Sequence, residues 1–597
     1  MTQVIDRIPA ILIANRSEIA LRIVRTCREL GVRSVAVASE ADARAPYATA
    51  ADQCIQLHGD TLEKTYLDKD LIISSAIDAG VSAIHPGYGF LSENAGFARA
   101  VKEAGLTFIG PSSESIELAG DKLAARKEAH RLGIPVLPAT SGAVSSLDEA
   151  IGFGTENGYP LLIKAVYGEG GRGLRLVERE AALESALEAA WREASRAFGD
   201  RACFLERALV SPRHLEVQVF GEHDGSVLAI GDRDCTLQRR HQKLIEECPA
   251  PQISAGVRAS MSEYSIRFAE AVGYRSAGTC EFLLDKEGEA VYFLEINPRI
   301  QVEHPVTEMV WGVDLVAAQI RQAAGLFSGM DITSPRGHAV EIRVNAENPS
   351  NGFLPETGEI EGIVLPGGPG VRLDLGVAEG DVVSASYDSL IGKLVCWGPD
   401  RETAISRAIR AIGEFQIKGV ETTLGAQRLL LEADIVRNVN HNIGTAEALI
   451  SSARLSGSAS SRRVTSKIEN QRSGDLAAFS VSGRRFEVLI PDSTVIKGIH
   501  RSGAEGTGLT TDASRSASNP AEVVDGRFLI APMQGTLVKC NFNLGDTVAM
   551  GDTVFVLEAM KMEIDVDALL SGTLARLSVS VGSSVERGAI LGEIESQ

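Results

Sequence analysis

Glu558-Ala559-Met560-Lys561-Met562-Glu563 places a single lysine between two methionines near the end of a 597-residue chain. A repeat surrounds this stretch, since five positions before it recur 37 residues later as the same or a similar residue. The pairs are Gly535 with Gly572, Gly545 with Gly582, Val548 with Val585, Gly551 with Gly588, and Leu557 with Ile594. Such repetition predicts two β-rich halves related by pseudo-two-fold symmetry. Lys561 falls where the halves meet, so we predict an exposed tight turn that holds out an amine for a covalent group. The alternative is an ordinary exposed lysine.

Ala531-Pro532-Met533, followed by Glu558 to Met562, resembles the biotinyl (biotin carboxyl carrier) domain. The resemblance implies an all-β flattened barrel over residues 526–597, with biotin attached to Lys561 by a biotin protein ligase. A lipoyl domain has the same architecture, but its lysine is usually flanked by Asp and Ala. The remainder of the chain must therefore be tested for the chemistry that carboxylates biotin.

Length and composition limit the class of protein. A chain of 597 residues is too long for one core and suggests three to five domains. Its formal net charge, 59 − 79 = −20, argues against general nucleic-acid binding. Eight scattered cysteines with no CxxC pair fit a reducing cytosol, and neither a signal peptide nor an apolar stretch of about 20 residues is present. We expect a cytoplasmic protein that binds neither nucleic acid nor membrane.

The first 115 residues alternate strand and helix signals. Residues 10–14 and 34–38 read as short apolar strands, and Ile19 to Leu30 reads as a helix that stops at Gly31. This β-α-β order predicts an open α/β domain with a parallel sheet.

Residues 116–330 carry most of the chemical signals. Ile116 to Leu132 reads as one helix that contains Lys122, and a strand ending at Lys164 leads into the glycine loop Gly168-Glu169-Gly170-Gly171-Arg172-Gly173. A glycine loop between antiparallel strands can cover phosphates with backbone N–H groups, although hairpins need glycine anyway. The stretch from Gly231 to Lys243 is locally basic in an otherwise acidic chain and indicates an anion site, with a solvated surface loop as the alternative.

Oxygen ligands cluster on two neighbouring strands of the same region. Glu295 and Asn297 are two apart on a strand and so face the same way, and Glu281 lies on the preceding strand. Two carboxylates and an amide oxygen suit Mg²⁺, or Mn²⁺ in its place. Exposed carboxylates are the alternative, but both strands are otherwise apolar.

The C-terminal half changes character twice. Residues 331–449 read as a mixed α/β domain, with a helix from Arg401 to Phe415. Residues 450–525 are rich in Ser, Gly and Thr, the composition of a linker, and Ala477 to Ile490 reads as a hairpin that turns at 482–483 and offers a possible docking element.

Taken together, these motifs resemble the biotin carboxylase module of the ATP-grasp superfamily over residues 1–449, with a mobile lid at about 136–205. The resemblance implies roles for individual residues. For ATP it implies Lys122, Lys164, Gly168, Gly170, Gly171, Glu206, His214, Gln238 and His241. For Mg²⁺ it implies Glu281, Glu295 and Asn297, and for bicarbonate Lys243, Arg299, Gln301, Val302 and Glu303. Glu303 would be the general base, with Lys243 and Arg299 beside it, and Arg343 would face the biotin ring.

Three departures from the family pattern stand out. Glu169 interrupts the glycine run, Arg207 stands where Lys is common, and Ser17 replaces the usual Gly of Asn-Arg-Gly. None removes a residue to which we assign catalysis.

The layout of carboxylase followed by carrier resembles the α subunit of bacterial acyl-CoA carboxylases. It implies ATP- and bicarbonate-dependent carboxylation of biotin through carboxyphosphate, a separate carboxyltransferase (β) subunit, and a homo-oligomer inside a larger hetero-oligomer. Three alternatives stay open: the same half-reaction for 3-methylcrotonyl-CoA, geranyl-CoA, pyruvate or urea; a lipoyl-bearing protein; and a non-catalytic carrier scaffold.

Overall fold

The computed structural model describes residues 2–59, 61–166, 174–198, 201–453, 474–481, 484–491, 527–559 and 562–595. Four predicted site residues, Gly168, Gly170, Gly171 and Lys561, lie outside these ranges, as does most of the predicted linker. In the part described, no helix combines the length and the apolar character that a membrane span requires.

The N-terminal region is an open parallel sheet with helices on its faces. Its strands are β1 (Ala10–Ile13), β2 (Arg33–Ala38), β3 (Gln53–Gln56), β4 (Ala83–His85) and β5 (Thr107–Phe108), in the order β3-β2-β1-β4-β5. Its helices are α1 (Thr2–Ile5), α2 (Ser17–Leu30), α3 (Pro46–Ala50), α4 (Lys69–Asp78) and α5 (Ala95–Glu103). All four strand pairings are parallel. The predicted β-α-β pattern is confirmed, and Gly31 ends α2 with a φ of 72°.

Within its described residues, the central region contains seven α-helices and eight strands. The helices are α6 (Ser113–Gly120), α7 (Lys122–Arg131), α8 (Leu147–Asn157), α9 (Leu183–Phe198), α10 (Ala255–Ala271), α11 (His304–Trp311) and α12 (Leu315–Ala323). The strands are β6 (Leu161–Ala165), β7 (Leu174–Val177), β8 (Cys203–Arg207), β9 (Arg213–Gly221), β10 (Val227–Arg239), β11 (Gln242–Cys248), β12 (Ser276–Leu284) and β13 (Val291–Asn297). Strands β6 and β7 pair antiparallel across the glycine loop, as predicted.

The helix predicted from Ile116 to Leu132 is wrong, because the chain forms two helices there. Asp121 lies between them with extended backbone, and its carboxylate accepts hydrogen bonds from the backbone N–H groups of Leu123 and Ala124. Asp is a preferred N-cap because it satisfies the free N–H groups of a first turn. The cap sets Lys122 at the very start of α7.

The C-terminal part of the carboxylase region shares its main sheet with the centre. Its strands are β14 (His338–Asn345), β15 (Glu347–Asn348), β16 (Leu354–Pro355), β17 (Gly358–Glu359), β18 (Gly362–Val364), β19 (Val371–Leu375), β20 (Val382–Val383), β21 (Leu390–Gly398) and β22 (Gln416–Lys418). Its helices are α13 (Arg401–Glu414), α14 (Leu424–Glu432), α15 (Asp434–Arg437) and α16 (Thr445–Ser452). One eight-stranded sheet runs β13-β12-β9-β10-β11-β14-β21-β19, so the predicted boundary near residue 331 falls between strands of a common sheet.

The last two β regions match their predicted patterns. Strands β23 (Gly474–Val481) and β24 (Arg484–Pro491) form the antiparallel hairpin expected within 477–490. The carrier region consists of β25 (Phe528–Ile530), β26 (Gly535–Cys540), β27 (Thr547–Val548), β28 (Thr553–Ala559), β29 (Met562–Asp567), β30 (Gly572–Leu577), β31 (Ser584–Val585) and β32 (Ile590–Glu595). Two four-stranded sheets, β25-β32-β30-β27 and β29-β28-β26-β31, enclose one core. The repeat is confirmed, since β26 and β27 recur 37 residues later as β30 and β31.

The predicted carrier lysine, Lys561, lies outside the described residues, between strands β28 and β29 in the sequence. The last pair of the β28–β29 ladder joins Ala559 to Met562. Residues 560 and 561 separate these two strands in the sequence.

Candidate active site

The shared sheet brings charged side chains together on one face. His214 and Glu216 are two apart on β9 and so project to the same side. Glu216 lies opposite Glu281 on β12 and opposite Arg233 on β10, and Glu281 lies opposite Glu295 on β13. Four neighbouring strands therefore bring the carboxylates of Glu216, Glu281 and Glu295 close together.

Lys243 is the cation around which this cluster forms. Its Nζ donates to Glu216 Oε2 at 2.8 Å, to Glu281 Oε1 at 3.1 Å and to Glu303 Oε1 at 2.6 Å. Burial alone would lower the pKa of Lys243, but Cys235 and the surrounding glutamates raise it well above its usual value. The ammonium therefore stays charged while three carboxylates surround it.

Glu303 is fully buried at the start of α11 and is bound on both sides by cations. One oxygen accepts from Lys243, and Oε2 accepts from Arg343 Nη2 at 3.0 Å. Burial would raise the pKa of Glu303, but Lys243, Arg343 and then Arg233 hold it well below its usual value. The structure thus keeps an ionised carboxylate in a site closed to solvent.

The predicted metal ligands lie together. Glu281 and Glu295 are register partners, and Asn297 Nδ2 donates to Glu281 Oε1 at 2.9 Å. Burial would raise the pKa of Glu281, but Lys243 and His214 hold it well below its usual value. Hard oxygen donors of this kind fit Mg²⁺, which keeps several ligands for substrate phosphates.

Three of the predicted nucleotide residues, Lys122, Lys164 and Glu206, take part in ion pairs. Lys122 Nζ lies 3.6 Å from Glu295 Oε2, and Lys164 Nζ donates to Glu206 Oε1 at 2.5 Å. Arg126, which no sequence motif singled out, donates to the other oxygen of Glu206 at 3.0 Å. Two cations therefore hold the Glu206 side chain in place.

Three further predicted residues connect the nucleotide side to the carboxylate cluster. His214 Nε2 lies 2.9 Å from Glu281 Oε2, and Gln238 Nε2 lies 3.4 Å from His214 Nδ1. Burial would lower the pKa of His214, but Glu281 raises it. Burial, with Lys164 and His214 nearby, lowers the pKa of His241, which lies in the β10–β11 turn at a φ of 64°.

The predicted bicarbonate residues adjoin Glu303 along residues 299–302. Arg299 donates through Nε to Glu93 and through Nη1 to Gln301 Oε1 at 2.8 Å. Gln301 Nε2 in turn donates to Glu281 Oε1 at 3.3 Å. The carbonyl oxygen of Val302 accepts from Lys393 Nζ at 2.9 Å. Arg299 is thus fixed by a carboxylate of the N-terminal region, which the sequence did not predict.

Arg343 divides its guanidinium between two carboxylates. Its Nε donates to Glu246 Oε1 at 2.5 Å, and its Nη2 donates to Glu303. This arrangement places the predicted biotin-facing arginine against the predicted base.

Two residues that support this site, Glu216 and Lys393, were not predicted from the sequence, and Arg233 was predicted only as part of the basic run. Glu216 and Arg233 are fully buried and form an ion pair, and Arg233 Nη1 also donates to Gln218 Oε1 at 2.8 Å. The signal was the alternation of His214, Glu216 and Gln218 along a strand that is otherwise apolar. Lys393 was likewise missed, although it is buried and pairs with Glu18 at 3.1 Å.

Four segments of the chain match known protein families. Residues 7–116 match the biotin carboxylase N-terminal domain, and 121–327 match the ATP binding domain of the carbamoyl-phosphate synthase L chain. Residues 341–447 match the biotin carboxylase C-terminal domain, and 528–594 match the family described as biotin-requiring enzyme.

Similar proteins cover either the whole chain or its carboxylase part. The biotin-dependent acyl-coenzyme A carboxylase alpha3 subunit of Mycobacterium leprae is 39% identical over 99% of both chains. The biotin carboxylase of a Nostoc species is 46% identical over 71% of this chain and 95% of its own. Among solved structures, the biotin carboxylase domain of Hydrogenobacter thermophilus 2-oxoglutarate carboxylase, with MgADP, ADP and bicarbonate, gives a TM-score of 0.72. That structure is 40% identical and spans 75% of this chain and 99% of its own.

The fold and the site therefore define a biotin carboxylase of the ATP-grasp type, with an all-β biotinyl region at its C-terminal end. The chain belongs to the biotin-dependent carboxylases, in the arrangement that joins biotin carboxylase and biotin carrier in one polypeptide. The predicted family, the fold class and the cofactors biotin, ATP and Mg²⁺ are confirmed at this level.

Proposed function

We propose that this chain carboxylates biotin held on Lys561, using ATP and bicarbonate, and supplies the carboxyl group to a separate carboxyltransferase subunit that acts on an acyl-CoA. The acyl group would be acetyl, propionyl or longer. The observation that carries the proposal is Glu303, an ionised and fully buried carboxylate held between Lys243 and Arg343.

Bicarbonate is a poor electrophile, and phosphorylation activates it. Glu303 takes the proton of bicarbonate, and a bicarbonate oxygen attacks the γ-phosphorus of ATP to give carboxyphosphate and ADP. Lys243 and Arg299 hold the anion, and the planar fork of Arg299 matches its carboxylate-like shape. A base positioned in this way typically contributes about 10²- to 10⁴-fold to the rate.

The nucleotide residues position and neutralise the transferred group. Lys122 and Lys164 would bind phosphate oxygens, and the rest of the pocket would be formed by Glu206, His214, Gln238 and His241. Mg²⁺ held by Glu281 and Glu295, with Asn297 beside them, would neutralise the charge on the phosphoryl oxygens. A lid over residues 136–205, which includes the glycine loop with Gly168, Gly170 and Gly171, would exclude water, because water destroys carboxyphosphate.

The second step transfers CO₂ to the biotin ring. Carboxyphosphate breaks down to CO₂ and phosphate within the closed site, and phosphate takes the ring proton. Arg343 then stabilises the negative charge that develops on the ring oxygen through charge-assisted hydrogen bonding. Its contact with Glu303 supports a single site for both steps.

The acceptor and the partner are inferred from relatives. The Mycobacterium leprae protein, which is named for an acyl-coenzyme A carboxylase, aligns along the linker and carrier as well as the carboxylase part. A pyruvate carboxylase component of Methanothermobacter thermautotrophicus and the rice mitochondrial methylcrotonoyl-CoA carboxylase component align with 72% and 70% of this chain. The full-length alignment favours an acyl-CoA, with 3-methylcrotonyl-CoA, geranyl-CoA, pyruvate and urea as the alternatives. We further propose self-association, since the Hydrogenobacter domain was solved as a dimer.

The test separates the two half-reactions. Purified biotinylated chain, incubated with ATP, Mg²⁺ and radiolabelled bicarbonate, should acquire label on the protein and transfer none to acetyl- or propionyl-CoA. Lys561→Ala should acquire no label and no biotin, while Lys539→Ala, at the other lysine between residues 527 and 597, should acquire both. Label in Lys561→Ala, or an acyl-CoA product formed by the chain alone, would contradict the proposal. Capture through biotin then identifies the carboxyltransferase.

A further inference from the structure

Two glutamates lie opposite each other on neighbouring strands behind Arg343. Glu246 on β11 and Glu341 on β14 are register partners, and both are fully buried. Like charges directly opposite one another in a sheet repel. A buried carboxylate without a partner is costlier still, by several kcal/mol. The pair therefore needs a cation or a proton.

The hydrogen bonds around the pair leave most of its oxygens without a donor. Glu246 Oε1 accepts from Arg343 Nε at 2.5 Å. Among the described residues, Glu246 Oε2 and both oxygens of Glu341 find no hydrogen-bond partner. Buried acceptors without donors indicate a carboxyl group that carries its own proton. Burial accordingly raises the pKa of Glu341 well above its usual value and the pKa of Glu246 to about 7.

The charged groups packed around the pair are already engaged. Lys393 on β21 pairs with Glu18 of α2, and Asp374 on β19 pairs with Arg372 at 2.8 Å. At the start of α11, Glu303 is held by Lys243 and Arg343. Burial lowers the pKa of the adjacent His304 to about 3, so its ring is neutral. Lys393 and Arg343 favour an ionised Glu341, but neither bonds to it within the part of the chain described.

We propose that Glu341 is a positioning residue for Arg343, acting as a neutral carboxylic acid that shares one proton with Glu246. The proposal rests on the function assigned to Arg343 above. Cross-strand partners have Cβ atoms about 5 Å apart, so one proton can serve both carboxyl groups. When the proton is present, the Glu246–Glu341 pair carries one negative charge and not two. The Arg343 guanidinium then keeps its hydrogen bond to Glu303. Without the proton, two carboxylates compete with Glu303 and the biotin ring for one arginine.

The pH dependence of free biotin carboxylation tests this role. Glu341→Gln keeps a neutral side chain of similar shape and removes the titration. In this variant, the alkaline pH at which kcat/KM for biotin falls to half its maximum should be higher than in the wild type by about one pH unit. The change should appear in KM and not in kcat. The control is Glu347→Gln, since Glu347 is also buried but accepts from Asn345 Nδ2 at 2.9 Å and from Ser389. In Glu347→Gln, kcat/KM for biotin should fall at the same alkaline pH as in the wild type. The proposal would be overturned if Glu341→Gln left this alkaline pH unchanged, or if it lowered kcat/KM for biotin by the same factor at every pH.

A spectroscopic measurement keeps the test independent of turnover. The infrared difference between wild type and Glu341→Gln at pH 7 should contain a carboxylic-acid C=O band that shifts in D₂O. Biotin carboxylation by a wild type that lacks this band would overturn the role of Glu341. A band in a wild type that does not carboxylate biotin would instead overturn the proposed function. The two failures are thus distinguishable.

Discussion

The ammonium of Lys243 lies 2.6 Å from the Oε1 atom of Glu303, and the other oxygen of that carboxylate lies 3.0 Å from Arg343. A base held between two cations is a weak base while the site is empty, because both cations favour its ionised form. Bicarbonate bound to Lys243 would draw that ammonium away from Glu303 and so raise the proton affinity of the carboxylate. In the proposed mechanism, bicarbonate binding and activation of Glu303 as a base would therefore be coupled through Lys243.

Glu303→Gln should lower bicarbonate-dependent ATP cleavage by about 10²- to 10⁴-fold, since the amide keeps the shape but accepts no proton. Release of phosphate with and without bicarbonate measures the effect. Glu263→Gln is the matched control, because that glutamate is exposed and pairs with Arg267 on the same helix. Wild-type turnover in Glu303→Gln would exclude its role as base.

Glu295→Gln should raise the Mg²⁺ concentration for half-maximal ATP cleavage by more than about tenfold, because a carboxylate ligand is replaced by a neutral one. A titration with Mg²⁺ at saturating ATP measures the change. Glu289→Gln, in the turn before the same strand, is the control and should leave the titration unchanged. An unchanged midpoint in Glu295→Gln would remove Glu295 from the metal site.

Arg343→Lys should separate the two steps of the half-reaction. An ammonium cannot span Glu246 and Glu303 as the guanidinium fork does, nor hold the biotin ring in the same geometry. We expect free biotin carboxylation to fall at least about tenfold further than bicarbonate-dependent ATP cleavage, measured in parallel. Arg407→Lys, which alters a bond to the carbonyl of Trp397, is the control. Equal losses in both assays would mean that Arg343 acts before the transfer to biotin.

The predicted residues that the structure brings together are those with a local signal in the sequence. Glu281, Glu295 and Asn297 could be grouped because strand alternation and a short connection fix their relative positions. The carrier repeat could be recognised because glycines and apolar residues recur in the sequence at a spacing of 37 residues. Lys164 and the glycine loop could be assigned to one predicted site because they are close in the sequence.

The contacts that the sequence did not predict join residues that are far apart in the chain. Glu93 holds Arg299 from 206 residues away, and Arg343 reaches Glu246 over 97 residues. Nothing in the local pattern specifies such pairs, because they depend on how strands are ordered in the shared sheet. The prediction of one continuous helix through Asp121 was wrong for another reason. The apolar periodicity continues through this residue, although Asp121 is the N-cap of a second helix.

Glu247 provides a test of how the C-terminal part of the carboxylase is attached to the main sheet. Its Oε2 lies 2.7 Å from His338 Nε2 and accepts from Arg401 Nε at 2.6 Å, so one carboxylate connects β11, β14 and α13. Burial would raise the pKa of Glu247, but the hydrogen bonds from His338 and Arg401 lower it. A carboxyl whose pKa is lower in the folded state stabilises the fold above its unfolded pKa of about 4.3, and this contribution is lost as pH falls through the folded value.

Glu247→Gln should therefore cost about 3 kcal/mol at pH 7, because it leaves Arg401 without its buried partner. The difference from wild type should shrink as the pH falls below about 4, where the wild-type carboxyl also becomes neutral. Thermal unfolding followed from pH 7 to pH 3.5 measures both effects. Glu432→Gln breaks an exposed pair with Arg428 and should cost less than about 1 kcal/mol at every pH. A loss in Glu247→Gln that stays constant down to pH 3.5 would show that the side chain stabilises this junction by packing alone.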